Sequence, residues 1–373
     1  MSACPSKPSP AVAADRGDAA LEVLLLPFAS GALAWPSQGG VLFLRARDGW
    51  PLREAARPGL VCEQSFKPEA DALMRSGWTV RDPDAFDDGA HGDGSGEQDR
   101  RYPLVLALPP RQRDEARALL ARAVAQCAPG GIVVACMAND EGAKSGEADL
   151  KALAGLSGNL SKHHCRAFWA RVEASTVDAA LLASWRALDA PRAILDGRFA
   201  SRPGVFAWDR VDPASALLTA HLPTDLAGRA ADLGCGYGYL SVELLQRCAG
   251  IVSVDLYEAE ARALALAKRN LAAFAQRAAL DFRWHDVAIG LPRRYDVVVT
   301  NPPFHAQGRA DRPDIGRAFI AAAADALNPG GRLWLVANRH LPYEQALDAG
   351  FDEVRTVAQA AGFKVVEAVK AER

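Results

Sequence analysis

Short apolar runs alternate with segments of helical periodicity along most of the chain. Residues 295–300 form an apolar, β-rich run, and the later segment 315–327 carries apolar residues at helical spacing. Residues 229–233 read as a strand that enters a glycine-rich turn and then a helix over 239–247. This alternation predicts an α/β fold with a mostly parallel sheet, whose ligands bind beyond the carboxyl ends of the strands.

A unit of strand, Pro-Pro turn, helix, Pro-Gly-Gly turn and strand occurs twice. The first copy starts at Tyr102-Pro-Leu-Val-Leu-Ala-Leu-Pro-Pro110 and the second at Tyr295-Asp-Val-Val-Val-Thr-Asn-Pro-Pro303. In this alignment Leu108 holds the position of Asn301, so the first copy lacks the amide. The repeat predicts two tandem Rossmann-like domains, of which the first is a degenerate duplicate and the second has a seven-stranded, mostly parallel sheet.

Composition along the chain suggests the domain boundaries. Residues 1–18 are rich in Pro, Ala and Ser and predict a disordered tail, and 82–99 carry seven acids and four glycines, which is typical of a solvated acidic loop. We therefore expect a degenerate domain over 19–178, a helical linker over 179–191 and a catalytic domain over 192–373.

The overall charge and the cysteines exclude several classes of protein. Lys and Arg number 43 and Asp and Glu 45, a net charge of −2, so any nucleic-acid contact must be local. The seven cysteines form no C-x-x-C pair, which argues against a zinc site or a disulfide framework, and we expect no metal. The most apolar early run, 23–29, is too short to span a membrane, so we expect a cytoplasmic protein.

The sequence Asp232-Leu-Gly-Cys-Gly-Tyr-Gly238 predicts a nucleotide-binding turn. Glycines let the backbone approach a ligand closely, and the following helix presents unpaired N–H groups. Asp255 ends a second predicted strand 23 residues after Asp232, where a carboxylate can hold two ribose hydroxyls. The predicted cofactor-binding residues of this region are Asp232, Gly234, Cys235, Gly236, Gly238, Asp255 and Leu256.

The position of Asp232 identifies the cofactor class. A carboxylate directly before the turn would repel the pyrophosphate of a dinucleotide but would attract an ammonium and a sulfonium group. This favours S-adenosylmethionine, with its amino-acid tail near Asp232 and its adenosine toward Asp255. Asp286, after a third predicted strand, is expected to contact the adenine.

The turn Asn301-Pro302-Pro303-Phe304 predicts methyl transfer to a conjugated amine. Such a nitrogen is a poor nucleophile because its lone pair is delocalised. Two fixed acceptors, the Asn301 Oδ1 and the Pro302 carbonyl, would take both N–H groups and direct the lone pair at a methyl group. Phe304 would stack on the substrate ring. We therefore predict Asn301, Pro302 and Phe304 as catalytic residues, and Asn301 also as a cofactor-binding residue.

These residues resemble the RsmC-type ribosomal RNA guanine-N2 methyltransferases, a family with a degenerate N-terminal methyltransferase-like domain and an active C-terminal one. The resemblance is carried by Gly204-Val-Phe206, Val211-Asp-Pro-Ala-Ser215, Asp232-Leu-Gly-Cys-Gly236, Asn301-Pro-Pro-Phe-His305, Ala337-Asn-Arg-His-Leu-Pro-Tyr343 and Phe363-Lys-Val365. It implies that Phe206 lies near the cofactor and that the 301–304 turn holds a guanine amine of 16S ribosomal RNA in the assembled 30S subunit. We expect the protein to be a monomer.

Four other functions remain open at this level. A sister family with the same architecture modifies 23S RNA of the large subunit. Protein-glutamine N5 methyltransferases use the same Asn-Pro-Pro turn but carry a small helical N-terminal domain. An adenine-N6 DNA enzyme would normally have a separate target-recognition region. A catalytically silent RNA-binding assembly factor would not need Asp232, Asp255 and Asn301.

Overall fold

The computed structural model describes residues 18–81, 101–303 and 313–372. The helices in these ranges are α1 (Ala19–Ala29), α2 (Trp50–Arg53), α3 (Lys67–Arg75), α4 (Arg113–Gln126), α5 (Ala143–Ala154), α6 (Ala179–Arg186), α7 (Pro213–His221), α8 (Tyr239–Arg247), α9 (Ala261–Asn270), α10 (Pro313–Ala326) and α11 (Glu344–Gly350).

The strands of the first half of the chain are β1 (Val41–Leu44), β2 (Leu60–Glu63), β3 (Thr79–Val80), β4 (Tyr102–Ala107), β5 (Cys127–Ala138), β6 (Gly158–Lys162) and β7 (Cys165–Arg171). They form one seven-stranded sheet in the order β3-β2-β1-β4-β5-β7-β6. The first five strands in this order are parallel, and β7 runs antiparallel to β5 and β6.

The strands of the second half are β8 (Arg192–Ile194), β9 (Phe199–Ser201), β10 (Ala227–Leu233), β11 (Gly250–Glu258), β12 (Ala279–Trp284), β13 (Tyr295–Thr300), β14 (Leu327–Asn338), β15 (Glu353–Ala360) and β16 (Phe363–Val369). β8 and β9 form a separate hairpin, and the other seven form a sheet in the order β12-β11-β10-β13-β14-β16-β15. This order repeats that of the first sheet position by position. The predicted fold class, two tandem Rossmann-like domains, is confirmed.

The second sheet has hydrophobic residues on both faces, as a sheet covered by helices on two sides requires. Val254, Leu256 and Trp334 belong to one buried cluster, and Tyr257, Tyr295 and Leu335 belong to the cluster on the other face. Neighbouring residues of β11 therefore point to opposite layers. This alternation determines which acid of β11 can reach a ligand.

β10 and β13 lie side by side at the point where the strand order of the second sheet reverses. Leu233, the last residue of β10, pairs with Thr300, the last residue of β13. The Thr300 Oγ1 donates a hydrogen bond to the Leu233 carbonyl over 2.8 Å. Open α/β sheets bind their ligands at such reversals, so the glycine turn and the Asn301 turn meet where a ligand is expected.

The two halves contact each other through equivalent segments, 65–67 and 259–261. Phe66 and Glu260 form an antiparallel bridge. The Lys67 amide donates to the Ala259 carbonyl over 2.8 Å, and the Ala261 amide donates to the Ser65 carbonyl over 2.9 Å. The contact is therefore reciprocal.

A buried arginine adds charge pairing to this contact. Arg262 forms ion pairs with Glu115 of the first half at 2.7 Å, with Glu260 at 3.1 Å and with Asp189 at 3.7 Å. Burial alone would lower the pKa of Arg262, but the neighbouring carboxylates outweigh it and raise the pKa. The guanidinium therefore stays charged between the halves.

Several sequence-based expectations lie outside the described ranges. The predicted tail, except Asp18, and the acidic loop over 82–99 are among them. α6 falls within the predicted linker, while the exact domain boundaries stay a prediction. In the described ranges no helix has both the length and the apolar character to cross a bilayer.

Candidate active site

The Asn301 side chain is held at one end only. Its Nδ2 donates to the Asp212 Oδ2 over 2.8 Å and to the Ser215 Oγ over 2.9 Å. Its Oδ1 is buried and has no hydrogen-bond partner among the described residues. A buried acceptor without a partner is energetically costly. The Asn301 Oδ1 is therefore an acceptor available to a ligand at the ends of β10 and β13.

The backbone after Asn301 is stiff and has few donors. Pro302 is buried and Pro303 is exposed, and neither has an N–H group. The φ angle of each ring is fixed, so the direction of the adjoining carbonyls is fixed as well. Phe304, predicted to stack on a substrate ring, lies outside the described residues.

The glycine turn adopts a conformation that only glycine takes easily. Gly234, Gly236 and Gly238 have φ angles of +71°, +55° and +92°. A Cβ on Gly238 would lie 2.5 Å from the Leu271 Cδ1, so this glycine allows close packing of the helix that follows. A Cβ on Gly236 would meet nothing within 4 Å, which leaves room for a ligand beside the backbone. Cys235 is buried within the turn, and burial raises the pKa of its thiol well above the usual value.

Asp232 is a fully buried carboxyl group with one free oxygen. Its Oδ2 accepts a hydrogen bond from the Ser241 Oγ at 2.7 Å, while its Oδ1 has no partner among the described residues. Burial raises the pKa of Asp232 to about 7, against the smaller opposing effect of the Ser241 hydrogen bond. A cation next to the free oxygen would stabilise the ionised form, which suits an ammonium group.

Glu258 is a site residue that the sequence analysis did not identify. It is the last residue of β11, and its Oε2 accepts from the Gly236 amide over 2.7 Å. Its Oε1 accepts from the Glu260 amide over 2.9 Å. Burial raises the pKa of Glu258 despite these hydrogen bonds. The acid beside the glycine turn is therefore Glu258.

Asp255 is bound by protein groups on the other face of the sheet from Glu258, and its contact with a ribose stays a prediction. It lies three residues before the end of β11 and pairs with Ala231. Its Oδ2 accepts from the Tyr295 Oη at 2.7 Å and from the Arg293 Nη1 at 3.1 Å. The carboxylate thus points into the opposite layer and is already bound by protein groups.

Leu256 also differs from expectation. Its side chain is fully buried in the hydrophobic cluster of the second sheet, so it packs in the core, and its contact with the cofactor stays a prediction. Sequence reasoning placed the end of β11 too early, and Asp255 and Leu256 were both chosen for that reason. The strand continues to Glu258 because Leu256 and Tyr257 still alternate between the two buried faces.

Two further predicted residues lie on loops. The Asp286 Oδ1 accepts from the Ala288 amide over 2.9 Å and so begins the short helical turn Val287–Ile289. Phe206 is 64% exposed, which is unusual for a large aromatic side chain. Their contacts with an adenine and with the cofactor stay predictions.

Known proteins resemble this chain in sequence and in fold. Residues 196–367 match the family model of the methyltransferase small domain. A ribosomal RNA small subunit methyltransferase C from Pseudomonas aeruginosa is 30% identical over 309 residues, which cover 80% of this chain and 90% of that protein. Another, from Alcanivorax borkumensis, is 39% identical over 181 residues, which cover 47% of this chain and 53% of that protein.

A solved structure matches nearly the whole chain. The 16S rRNA N2 methyltransferase RsmC of T. thermophilus, in complex with AdoMet and guanosine, gives a TM-score of 0.73 at 26% identity. The match covers 95% of this chain and 93% of that one. For three of the curated relatives, the matched part spans about half of their length, 53%, 48% and 47%.

Proposed function

The chain belongs to the family of ribosomal RNA small subunit methyltransferase C, and from this premise we propose that it methylates the exocyclic N2 amine of a guanine in 16S ribosomal RNA. The methyl donor is S-adenosylmethionine. The proposal is supported by the relatives, by the match to a structure in complex with AdoMet and guanosine, and by the geometry around Asn301.

Three features of the glycine turn fit the donor. The free, buried Oδ1 of Asp232 accepts its ammonium group, and the open space beside Gly236 lets its chain approach the backbone. Glu258, in place of Asp255, accepts the ribose hydroxyls at the strand end. When bound, the sulfonium group supplies an electrophilic methyl group. Phe206 and Asp286 would complete the pocket around the donor.

Asn301 and Pro302 hold the target amine. The Asn301 Oδ1 accepts one N–H of the amine and the Pro302 carbonyl accepts the other. Each accepted bond favours a pyramidal nitrogen, because the lone pair then withdraws from the purine ring. Such preorganised acceptors are worth about 100- to 1,000-fold in rate when one is removed. Phe304 is proposed to stack on the guanine.

The observation that carries the proposal is the orientation of the Asn301 amide. Both of its described hydrogen bonds use the nitrogen, so the oxygen is left for a donor from outside the protein. A guanine N2 amine is a donor of that kind.

We further propose that the protein acts in the cytoplasm, as a monomer, on RNA within the assembled 30S subunit. The reciprocal contact between the two halves supports the monomer, because each half already covers the segment of the other that a partner would use. The proposed chemistry uses only protein oxygens as acceptors and calls for no metal ion.

The test is methyl transfer from labelled S-adenosylmethionine to four substrates taken from cells that lack the enzyme. These are 30S subunits, 50S subunits, naked 16S RNA and total protein. We expect label in 30S subunits, and nucleoside mapping should identify it as N2-methylguanosine. Label in 50S subunits would move the target to 23S RNA, label in protein alone would favour glutamine methylation, and no label in any substrate would refute the proposal.

A further inference from the structure

We propose that Asp212 and Ser215 are positioning residues that fix the amide of Asn301 with its oxygen toward the target amine. The inference rests on the function proposed above and adds two residues to it. Neither residue needs to contact the cofactor or the guanine, because both act through the nitrogen of Asn301.

The carboxylate of Asp212 allows one orientation of the amide. An ionised carboxylate only accepts hydrogen bonds, so Asp212 binds the NH₂ group of Asn301 and repels its oxygen. Ser215 accepts from the same nitrogen. Turning the amide over would place its oxygen against the Asp212 carboxylate. It would also present N–H groups to an amine that itself donates, so the acceptor would be lost.

The charge on Asp212 also improves the acceptor. A charged group that accepts from an amide nitrogen polarises the amide, and a neighbouring hydrogen bond strengthens when its partner is polarised in this way. The Oδ1 of Asn301 therefore becomes a better acceptor for the target amine. Asp212 thus both orients and activates Asn301 across 89 residues of sequence.

A helix N-terminus places the two partners. Asp212 is the N-cap of α7, and the same Oδ2 that binds Asn301 also accepts from the Ser215 amide at 2.8 Å. Pro213 at the first helical position fixes the start of the helix. The cap and the site therefore share one oxygen atom, and the position of α7 determines the direction of the Asn301 amide.

The degenerate half provides an internal comparison. α1 packs against the long strand β5 as α7 packs against β14. Its N-cap is Asp18, which accepts from the amide of Leu21, just as Asp212 accepts from that of Ser215.

The rest of the arrangement is lost in that half. Leu21 stands at the position of Ser215, and Leu108 at that of Asn301. Both leucines are buried in a single hydrophobic cluster. The fold therefore retains the capping Asp but needs neither the Ser nor the Asn, which indicates that these two residues serve the reaction.

The test is a pair of compensating substitutions assayed on 30S subunits. Asn301→Asp places two carboxylates against each other, and we expect kcat to fall by about 100-fold or more. Adding Asp212→Asn restores a donor opposite the new carboxylate, so the double variant should recover at least about 10-fold of the lost kcat. Ser215→Ala should lower kcat by about 3- to 10-fold through loss of one hydrogen bond.

The matched control is Asp178→Asn. Asp178 is the N-cap of α6 and accepts from the Leu181 amide over 2.9 Å, far from Asn301 in the chain. Because Asn caps a helix about as well as Asp, this variant should keep its fold and leave kcat unchanged. For the Asp212 and Ser215 variants, the KM for 30S subunits and the Kd for S-adenosylmethionine should stay within about 2-fold of wild type.

Three results would overturn the inference while leaving the proposed function intact. These are a double variant no more active than Asn301→Asp, a folded Asp212→Asn variant with wild-type kcat, and a loss of kcat in Asp178→Asn equal to that in Asp212→Asn. If the wild-type protein methylates no ribosomal RNA, the proposed function itself fails. The two failures are therefore distinguishable.

Discussion

The two halves of the chain share a framework and differ at the ends of their central strands. The sheets have the same strand order, and β5 and β14, each of 12 residues, have the same sequence of buried and exposed positions. Near the carboxyl end of β1, Phe43 stands at the position that Asp232 holds in β10. The comparison teaches that the core determines the fold, whereas a few residues at the strand ends determine the chemistry.

Some site residues of the second half have close substitutes in the first half, and others do not. Gln64 stands at the position of Glu258, and its Oε1 accepts from the Phe66 amide over 2.9 Å, as the Glu258 Oε1 does from the Glu260 amide. Gln64 thus keeps the shape and loses the charge. The position equivalent to Asp255 is Val61, so the first half has no acid there either.

The glycine turn has been converted to another use in the first half. Arg45 stands at the position of Gly234 and retains the left-handed conformation, with φ angles of +53° and +71° respectively. Its guanidinium pairs with Glu115 at 3.0 Å. A non-glycine residue in this conformation costs about 1 kcal/mol or more. The first half therefore keeps the backbone shape of the turn, and Arg45 pairs with the same Glu115 that binds Arg262 of the second half.

The largest effect is expected when Asn301 is replaced by leucine, the residue at the equivalent position 108 of the first half. Asn301→Leu should lower kcat by about 100- to 1,000-fold, because one preorganised acceptor is lost. The Kd for S-adenosylmethionine should change by less than about 3-fold, as measured by calorimetry. The reverse change, Leu108→Asn, should create no second activity, because Phe43 and Leu21 remain. A Leu108→Asn protein that methylates RNA after Asn301 is lost would break the comparison.

Removing the charge of Asp232 should mainly affect the cofactor. Asp232→Asn keeps the shape and the Ser241 contact but cannot neutralise an ammonium group. We expect the Kd for S-adenosylmethionine to rise by about 100-fold, the scale of losing one partner of a buried charge pair. Equilibrium binding measured by calorimetry checks this value, and an unchanged Kd would show that the ammonium lies elsewhere.

The raised pKa of Asp232 also predicts a pH dependence. Only the carboxylate form of Asp232 binds the ammonium group, so the affinity for S-adenosylmethionine should fall by up to about 10-fold for each pH unit below 7. This pH dependence should be absent in Asp232→Asn. In the protein without cofactor, folding stability changes with pH in the opposite direction. A carboxyl whose pKa is raised from 3.8 to about 7 favours the folded state at low pH, and that contribution is lost as the pH rises through 7. The cofactor should therefore raise the melting temperature more at pH 7.5 than at pH 6.

The smallest effect separates Glu258 from Asp255. Glu258→Gln gives the second half the residue of the first, and the Kd for S-adenosylmethionine should rise by about 10-fold through loss of a charged acceptor. Asp255→Asn should leave this Kd within about 2-fold. It should instead lower the melting temperature, since Tyr295 and Arg293 lose a charged partner. The opposite pattern of Kd values would restore Asp255 as the ribose ligand.

Local patterns predicted most of the second half. The helix α8 and the strand β13 begin and end where the sequence indicated, because Gly238 precedes the helix and Pro302 closely follows the strand. The sequence also placed Asn301 directly after β13 and Asp232 just before the glycine turn, whereas the roles of both residues stay predictions. In the first half, α1 was not predicted as a helix, because its apolar residues are not confined to one face.

The contacts between distant segments could not be predicted from the sequence. The end of β11 was misjudged because both faces of a parallel strand are apolar, so the pattern does not show where the strand stops. Asp212 and Ser215 entered the sequence analysis only as part of the segment 211–215 that carries the family resemblance. Their bond to Asn301 depends on how α7 packs on the sheet, and no local pattern encodes that packing.

The reciprocal contact between segments 65–67 and 259–261 is the kind that two identical subunits make around a two-fold axis. Here the partners are joined by the chain, so their effective concentration is on the order of millimolar, and a short bridge with a few buried charges is enough to hold them. A cut between residues 187 and 191 would make the association bimolecular. The halves should then separate on dilution, which sedimentation would detect, and halves that stayed together at nanomolar concentration would contradict this view.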